Sequence, residues 1–217
     1  MEEEKIQQLK KNIMAIGHLM WEKELASGLN GNISARVDAD TILLTATGSC
    51  LGLLAEKDIL MMKLDGTLLE EGQVSTEKLL HTEIYKNFPE INAVVHTHTT
   101  YTNAYFLNKE KLEPQIFETK VYLGEVKGIP QKTPAVTDAG PVMEALKSNN
   151  IVALRNHGVV AMGKEHFDCF LLIQGLEEAT KVEFVASCLS LVASDKSTNT
   201  PATSNEQRAT KKYKLFS

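Results

Sequence analysis

Asn92-Ala93-Val94-Val95-His96-Thr97-His98 sets a β-branched apolar run directly against two histidines spaced two residues apart. Such a run favours a strand, in which residues i and i+2 face the same side, so both imidazoles would project together. Two neutral imidazoles converging on one point are the beginning of a transition-metal site. Taken alone, the pair fits equally well with one buried and one surface histidine, so the neighbouring segments carry the decision.

Upstream lies Ser75-Thr76-Glu77, followed by apolar residues at Leu79, Leu80, Ile84 and Tyr85 in helical spacing. Ser75 or Thr76 can cap that helix, with Glu77 in its first turn. Two adjacent hydroxyls at a helix N-terminus also suit a phosphate, because unpaired N–H groups and the helix dipole both favour an anion. His81 falls four residues after Glu77 on the same helix face and reads as a supporting or core residue. Downstream, Ile151-Val152-Ala153-Leu154 reads as a strand, and Val159-Val160-Ala161-Met162 continues beyond a sharp bend. That bend is Arg155-Asn156-His157-Gly158, which makes His157 the obvious third partner for His96 and His98.

Further out, residues 3–26 carry helical apolar spacing behind an acidic first turn that suits the helix dipole, and Gly28 can end that helix. Gly28-Leu29-Asn30-Gly31-Asn32 permits positive φ and can leave backbone N–H groups facing a ligand. By itself this segment, running on to Arg36, reads as a plain surface turn. Thr41–Ala46 reads as a strand that ends in Thr47-Gly48-Ser49, and Ile59–Met62 as another. Tyr101–Leu107 and a segment opened by Gly140-Pro141 read as short helices. Residues 108–135, including Val121-Tyr122-Leu123, read as short strands and loops. A long helix is expected from Lys164 to about Ala193, followed by a polar linker over residues 195–204 and a short C-terminal segment.

Composition narrows the classes. The 217 residues, 43% hydrophobic and 24% charged, suit one soluble domain spanning residues 1–217. A formal net charge of −5 argues against a nucleic-acid partner. The acidic start does not resemble a signal peptide, and no apolar run is long enough to span a bilayer. Cys50, Cys169 and Cys188 are far apart with no CxxC, so neither a disulfide framework nor a cysteine-based zinc site is expected. These features lead us to expect a cytoplasmic protein with no membrane partner. Strands and helices interleave without a regular βαβ repeat, which favours an α/β sandwich on a mainly antiparallel central sheet flanked by helices. No GxGxxG follows a strand, and GxxxxGK[ST] is absent.

Five segments together resemble the class II aldolase/adducin family: Gly31-Asn32-Ile33-Ser34-Ala35-Arg36, Thr45-Ala46-Thr47-Gly48, Ser75-Thr76-Glu77, His96-Thr97-His98 and Asn156-His157-Gly158. They occur in the family's order, and the fuculose-1-phosphate aldolase type fits best. The resemblance implies zinc or a similar divalent metal held by His96, His98 and His157, with Glu77 as acid/base and as a fourth ligand when substrate is absent. It implies a phosphate seat at Asn32, Thr47, Gly48, Ser75 and Thr76, a phosphorylated ketose as substrate, and a homotetramer. Family aldolases also use tyrosines, for which Tyr122 and Tyr213 are the candidates in this chain. Leu29 departs from the hydroxyl or small residue common at that position. A methylthioribulose-1-phosphate dehydratase-like lyase and a non-catalytic adducin-like interaction domain are the competing readings.

Overall fold

In the computed structural model, which describes residues 2–198, the run before the histidines is β4 (Ala93–Thr97), buried along its whole length. Around it are β1 (Asn32–Arg36), β2 (Thr41–Thr45), β3 (Ile59–Lys63), β5 (Lys111–Leu112), β6 (Val126–Pro130), β7 (Ile151–Arg155) and β8 (Gly158–Gly163). They form one eight-stranded sheet in the order β3-β2-β1-β4-β8-β7-β6-β5. The helices are α1 (Glu2–Glu22), α2 (Lys78–Asn87), α3 (Thr100–Phe106), α4 (Phe117–Leu123), α5 (Gly140–Leu146) and α6 (His166–Thr198).

Side-chain alternation along β4 separates two cores. Val94 packs with Leu80 and Ile84 of α2, Val142 and Leu146 of α5, and Val152 and Val160 of the sheet. Val95 packs on the opposite face with Ile13 and Met20 of α1 and with Phe170 and Ile173 of α6. The result is the expected α/β sandwich with a central sheet between helical layers. The sheet is mixed, however. β6 and β7 run parallel, whereas all other neighbouring pairs among the described residues are antiparallel. Parallel neighbours need a crossover, which α5 supplies between them.

Several expectations are corrected. Asn32–Arg36 is a strand between β2 and β4, and only the preceding glycine-asparagine residues form the turn. Its Asn and Ser residues look loop-like because they are interior polar groups, while Ile33 and Ala35 fill the core. Val121-Tyr122-Leu123 is helical, within α4. Val121 is 88% exposed and only Leu123 is buried, so the apolar run marks no strand. The first helix stops at Glu22 rather than near residue 26. α6 reaches Thr198, so residues 195–198 of the expected linker are helical. Residues 199–204, the short segment beyond them and Tyr213 lie outside the described residues. The chain divides into two units, Met1–Phe184 and Val185–Ser217, and the sheet lies entirely in the first.

α3 begins just after His98, and its N-cap residue Thr99 makes no side-chain capping bond. Glu177 of α6 takes over that task. Its carboxylate accepts from Tyr101 N, Thr102 N and Thr102 Oγ1, each at 2.8 Å. A charged acceptor shared by three donors is worth more than a neutral cap. Replacing Glu177 by Ala is expected to lower unfolding free energy by about 2 kcal/mol. A urea midpoint equal to that of the parent chain would contradict this.

Candidate active site

β4 and the β7–β8 turn carry the three histidines. His96 sits within β4 and His98 one residue past its end, so the period-two alternation aims both rings to one side. His157 sits in the turn between β7 and β8, where Asn156 adopts a φ of 62°. That conformation folds the chain back sharply enough to bring the third ring in. Ring centroids are 4.9 Å apart for His96–His98, 4.7 Å for His96–His157 and 4.8 Å for His98–His157. Gly158 permits this approach, since a Cβ there would lie 2.3 Å from Thr97 O. Gly31 does the same from the other side, with a φ of +97° and a Cβ position 2.9 Å from His96 O.

The protonation pattern follows from the neighbours. His96 Nδ1 donates to Val159 O at 3.0 Å, so Nε2 is the bare nitrogen, and it faces His98 Nε2 at 3.0 Å. Burial, and then the neighbouring histidines, hold the His96 ring well below the ordinary histidine range. Burial lowers His98 as well. For His157, burial and then His98 bring the pKa to about 4. All three rings are therefore neutral near pH 7. One ligand atom from each lies within 4.8 Å of the others, and among the described residues these three form the group that could hold a metal ion. His157 Nδ1 is buried with no partner among the described residues. Neutral imidazoles with converging lone pairs, one ring oriented by a backbone carbonyl, are the donor set of an open tetrahedral site, so the residues fit a divalent metal.

Glu77 stands outside that triad but against it. It occupies the N-cap position of α2 without capping it, and instead Ser75 Oγ accepts from Glu77 N at 3.2 Å. Its Oε2 accepts from Val136 N at 3.3 Å, which leaves Oε1 facing His157 Nε2 at 3.7 Å. This approach is no ion pair. Burial holds the imidazole neutral and raises the Glu77 carboxyl above its ordinary value, against the opposing pull of the Val136 N–H. Both groups are pushed away from charge, as desolvation requires.

A cavity of about 170 Å³ collects the remaining residues. Asn32, Thr47, Gly48, Ser75 and Thr76 line it together with Glu77 and the three histidines. Gly48 has a φ of +75°, and neither its N–H nor that of Thr76 bonds a protein acceptor among the described residues. Leu29, 65% exposed, stands at the cavity wall. Tyr122 does not line this cavity but packs its ring against Gly175 of α6. The sequence reading missed Val136, Pro134 and Asn103. Pro134 lines the cavity, and Asn103 Nδ2 donates to His157 O at 3.3 Å. Val136 acts through its backbone N–H, which leaves no mark in residue type; Asn103 lies one helical turn from Thr99, a spacing that could have drawn attention to it.

A family model matches most of the chain. The class II aldolase and adducin N-terminal domain model covers residues 11–184, and the chain belongs to that family. It is 31% identical over 175 residues to L-fuculose phosphate aldolase of Methanococcus vannielii, covering 81% of this chain and 95% of that one. It is also 30% identical over 184 residues to 3-oxo-tetronate 4-phosphate decarboxylase of Haemophilus influenzae, covering 81% and 86%. Among solved structures, L-fuculose-1-phosphate aldolase from Thermus thermophilus superposes with a TM-score of 0.76 at 28% identity, covering 85% of this chain and 98% of that one. No helix among the described residues is long and apolar enough to cross a membrane.

The buried histidines also make stability depend on pH. His81 is buried completely, and burial lowers it from 6.5 to about 3. Between those values the unfolded chain binds a proton that the folded chain refuses, so stability falls as pH drops below 6.5. By pH 5 this one residue should cost about 2 kcal/mol. Urea midpoints of the metal-free chain are expected to be flat from pH 9 to 7 and clearly lower at pH 5. A profile that stays flat down to pH 5 would contradict the burial argument.

Proposed function

We propose that the chain is a divalent-metal-dependent aldolase that reversibly cleaves a ketose 1-phosphate, of the fuculose 1-phosphate kind, to dihydroxyacetone phosphate and an aldehyde. The observation that carries the reading is the convergence of Glu77 and the three-histidine group on one cavity that also holds five hydrogen-bonding residues. His96, His98 and His157 would hold the metal, with zinc best suited to three imidazoles and an open position. When bound, a divalent ion supplies Lewis-acid polarisation to the substrate's carbonyl and hydroxyl oxygens.

The chain's own groups do the rest. Glu77 handles the proton at the carbon that becomes nucleophilic when the C–C bond breaks: in cleavage it delivers that proton while the hydroxyl that becomes the aldehyde carbonyl gives its own proton to solvent, and synthesis reverses both transfers. Its raised pKa brings the carboxyl closer to the working pH, which suits both directions of transfer. The Val136 N–H holds Oε2, so Oε1 is the oxygen free to act. Asn32, Thr47, Gly48, Ser75 and Thr76 seat the phosphate without a cationic side chain, through hydroxyls, an amide and backbone N–H groups. Anchoring that end fixes the reacting carbons against Glu77. The reading includes a homotetramer, supported by family resemblance and by exposed Val182, Phe184, Val185 and Leu189 on α6.

A decarboxylase reading is favoured by one specific observation, the comparable identity to a 3-oxo-tetronate 4-phosphate decarboxylase. A substrate panel separates the readings. Dihydroxyacetone phosphate plus an aldehyde supports the aldolase, carbon dioxide from a 3-oxo acid phosphate the decarboxylase, and a diketone a dehydratase. On the aldolase substrate, Glu77→Gln is expected to lower kcat by about 10²- to 10³-fold. Wild-type cleavage by that variant with metal bound would remove Glu77 from the proton-transfer role.

A further inference from the structure

From Asn32 at the cavity wall, on the strand beside His96, a run of buried polar groups leads into the interior. His81, on α2 one turn beyond Glu77, places Nε2 2.5 Å from Asn32 Oδ1. Its other nitrogen, Nδ1, is 2.6 Å from Ser34 Oγ, and Ser34 Oγ is 2.9 Å from the Tyr85 hydroxyl. All four side chains are buried. Tyr85 is itself anchored, with the Arg36 guanidinium 4.8 Å from its ring centroid and Arg36 Nη2 donating to Tyr85 O at 2.7 Å.

Such a chain can run in two directions, and the direction decides what Asn32 shows the cavity. If the Tyr85 hydrogen went to Asn92 O, each later bond would reverse and His81 would carry its proton on Nδ1. Nε2 would then have to accept from the Asn32 amide, turning the amide oxygen to the cavity. The geometry disfavours that direction. Tyr85 OH lies 3.5 Å from Asn92 O, which already accepts from Arg36 N at 2.9 Å. The Tyr85 hydrogen therefore goes to Ser34, that of Ser34 to His81 Nδ1, and that of His81 Nε2 to Asn32 Oδ1. A buried neutral imidazole has one donor and one acceptor, so this assignment uses each once. The Asn32 NH₂ is left without a protein acceptor among the described residues, on a residue that lines the cavity.

We infer that His81 is a positioning residue that, through the Tyr85–Ser34–His81–Asn32 chain, turns the Asn32 amide so that N–H donors face the cavity and select an anionic group there. This rests on the phosphate seat proposed above. One helix thus carries both the proton carrier, at its N-cap, and the residue that orients Asn32. A histidine buried merely as core would have no such effect on an anion.

The test uses the full chain loaded with zinc, labelled with ¹⁵N at histidine and asparagine, and titrated with inorganic phosphate. The expected result is a single His81 tautomer protonated at Nε2. In Ser34→Ala the Asn32 side-chain amide resonances should move, phosphate should bind about 5- to 10-fold more weakly, and KM should rise in step with kcat little changed. Tyr85→Phe, which removes only a hydroxyl, should shift the same readouts in the same direction and serves if Ser34→Ala folds poorly. His81 protonated at Nδ1 in the parent chain would overturn the inference, as would a Ser34→Ala chain with unchanged amide resonances and phosphate affinity. If the parent chain binds no phosphate while the tautomer and the amide shifts appear as stated, the positioning role is upheld and the phosphate seat falls.

Discussion

Three imidazoles with ring centroids under 5 Å apart are tolerable in a buried site only while none takes up the second proton that would charge it. Two charged rings at that distance would repel each other in addition to the cost of desolvating each charge. The fold enforces neutrality by burying the rings, and a backbone carbonyl sets the His96 tautomer. Neutral imidazoles are also what a divalent ion requires as ligands. The rest of the site is arranged around that condition.

The sheet supplies the spacing. Asn32 of β1 lies directly opposite His96 of β4, and Val160 of β8 lies opposite His96 on the other side. Neighbouring strands therefore deliver the Asn32 amide and the His96 imidazole in one register. α2 contributes Glu77 at its N-cap and His81 one turn later. On the opposite face, Thr97 Oγ1 donates to Leu25 O, so the residue between the two histidines is tied down from behind. Two glycines and one left-handed asparagine make the close approach sterically possible. A side chain at Gly158 would separate the rings before it altered any chemistry.

Much of this was legible in the residues. The β-branched run before His96 announced its strand, and period two then placed His96 and His98 together. The two apolar runs flanking Asn156-His157-Gly158 announced the bend. What stayed hidden is what residue type does not record. β1 looked like a turn because its Asn32 and Ser34 are interior polar groups whose partners come from α2, distant in sequence. The exposed apolar residues of α4 imitated a strand. The Val136 N–H that orients Glu77 is a backbone group any residue would supply. The parallel pairing of β6 and β7 depends on α5 acting as a crossover, a topological fact with no local signature. Ser75 and Thr76 looked like caps, yet Glu77 takes the cap position and keeps its carboxylate for the cavity.

Whether His96, His98 and His157 form one divalent-metal site is decided directly by a calorimetric zinc titration of the metal-stripped full chain. One zinc should bind per chain, and that binding should be lost in His98→Ala while the variant keeps its fold by circular dichroism. Failure of the parent chain to bind zinc or any other divalent ion, or full binding by His98→Ala, would contradict the assignment.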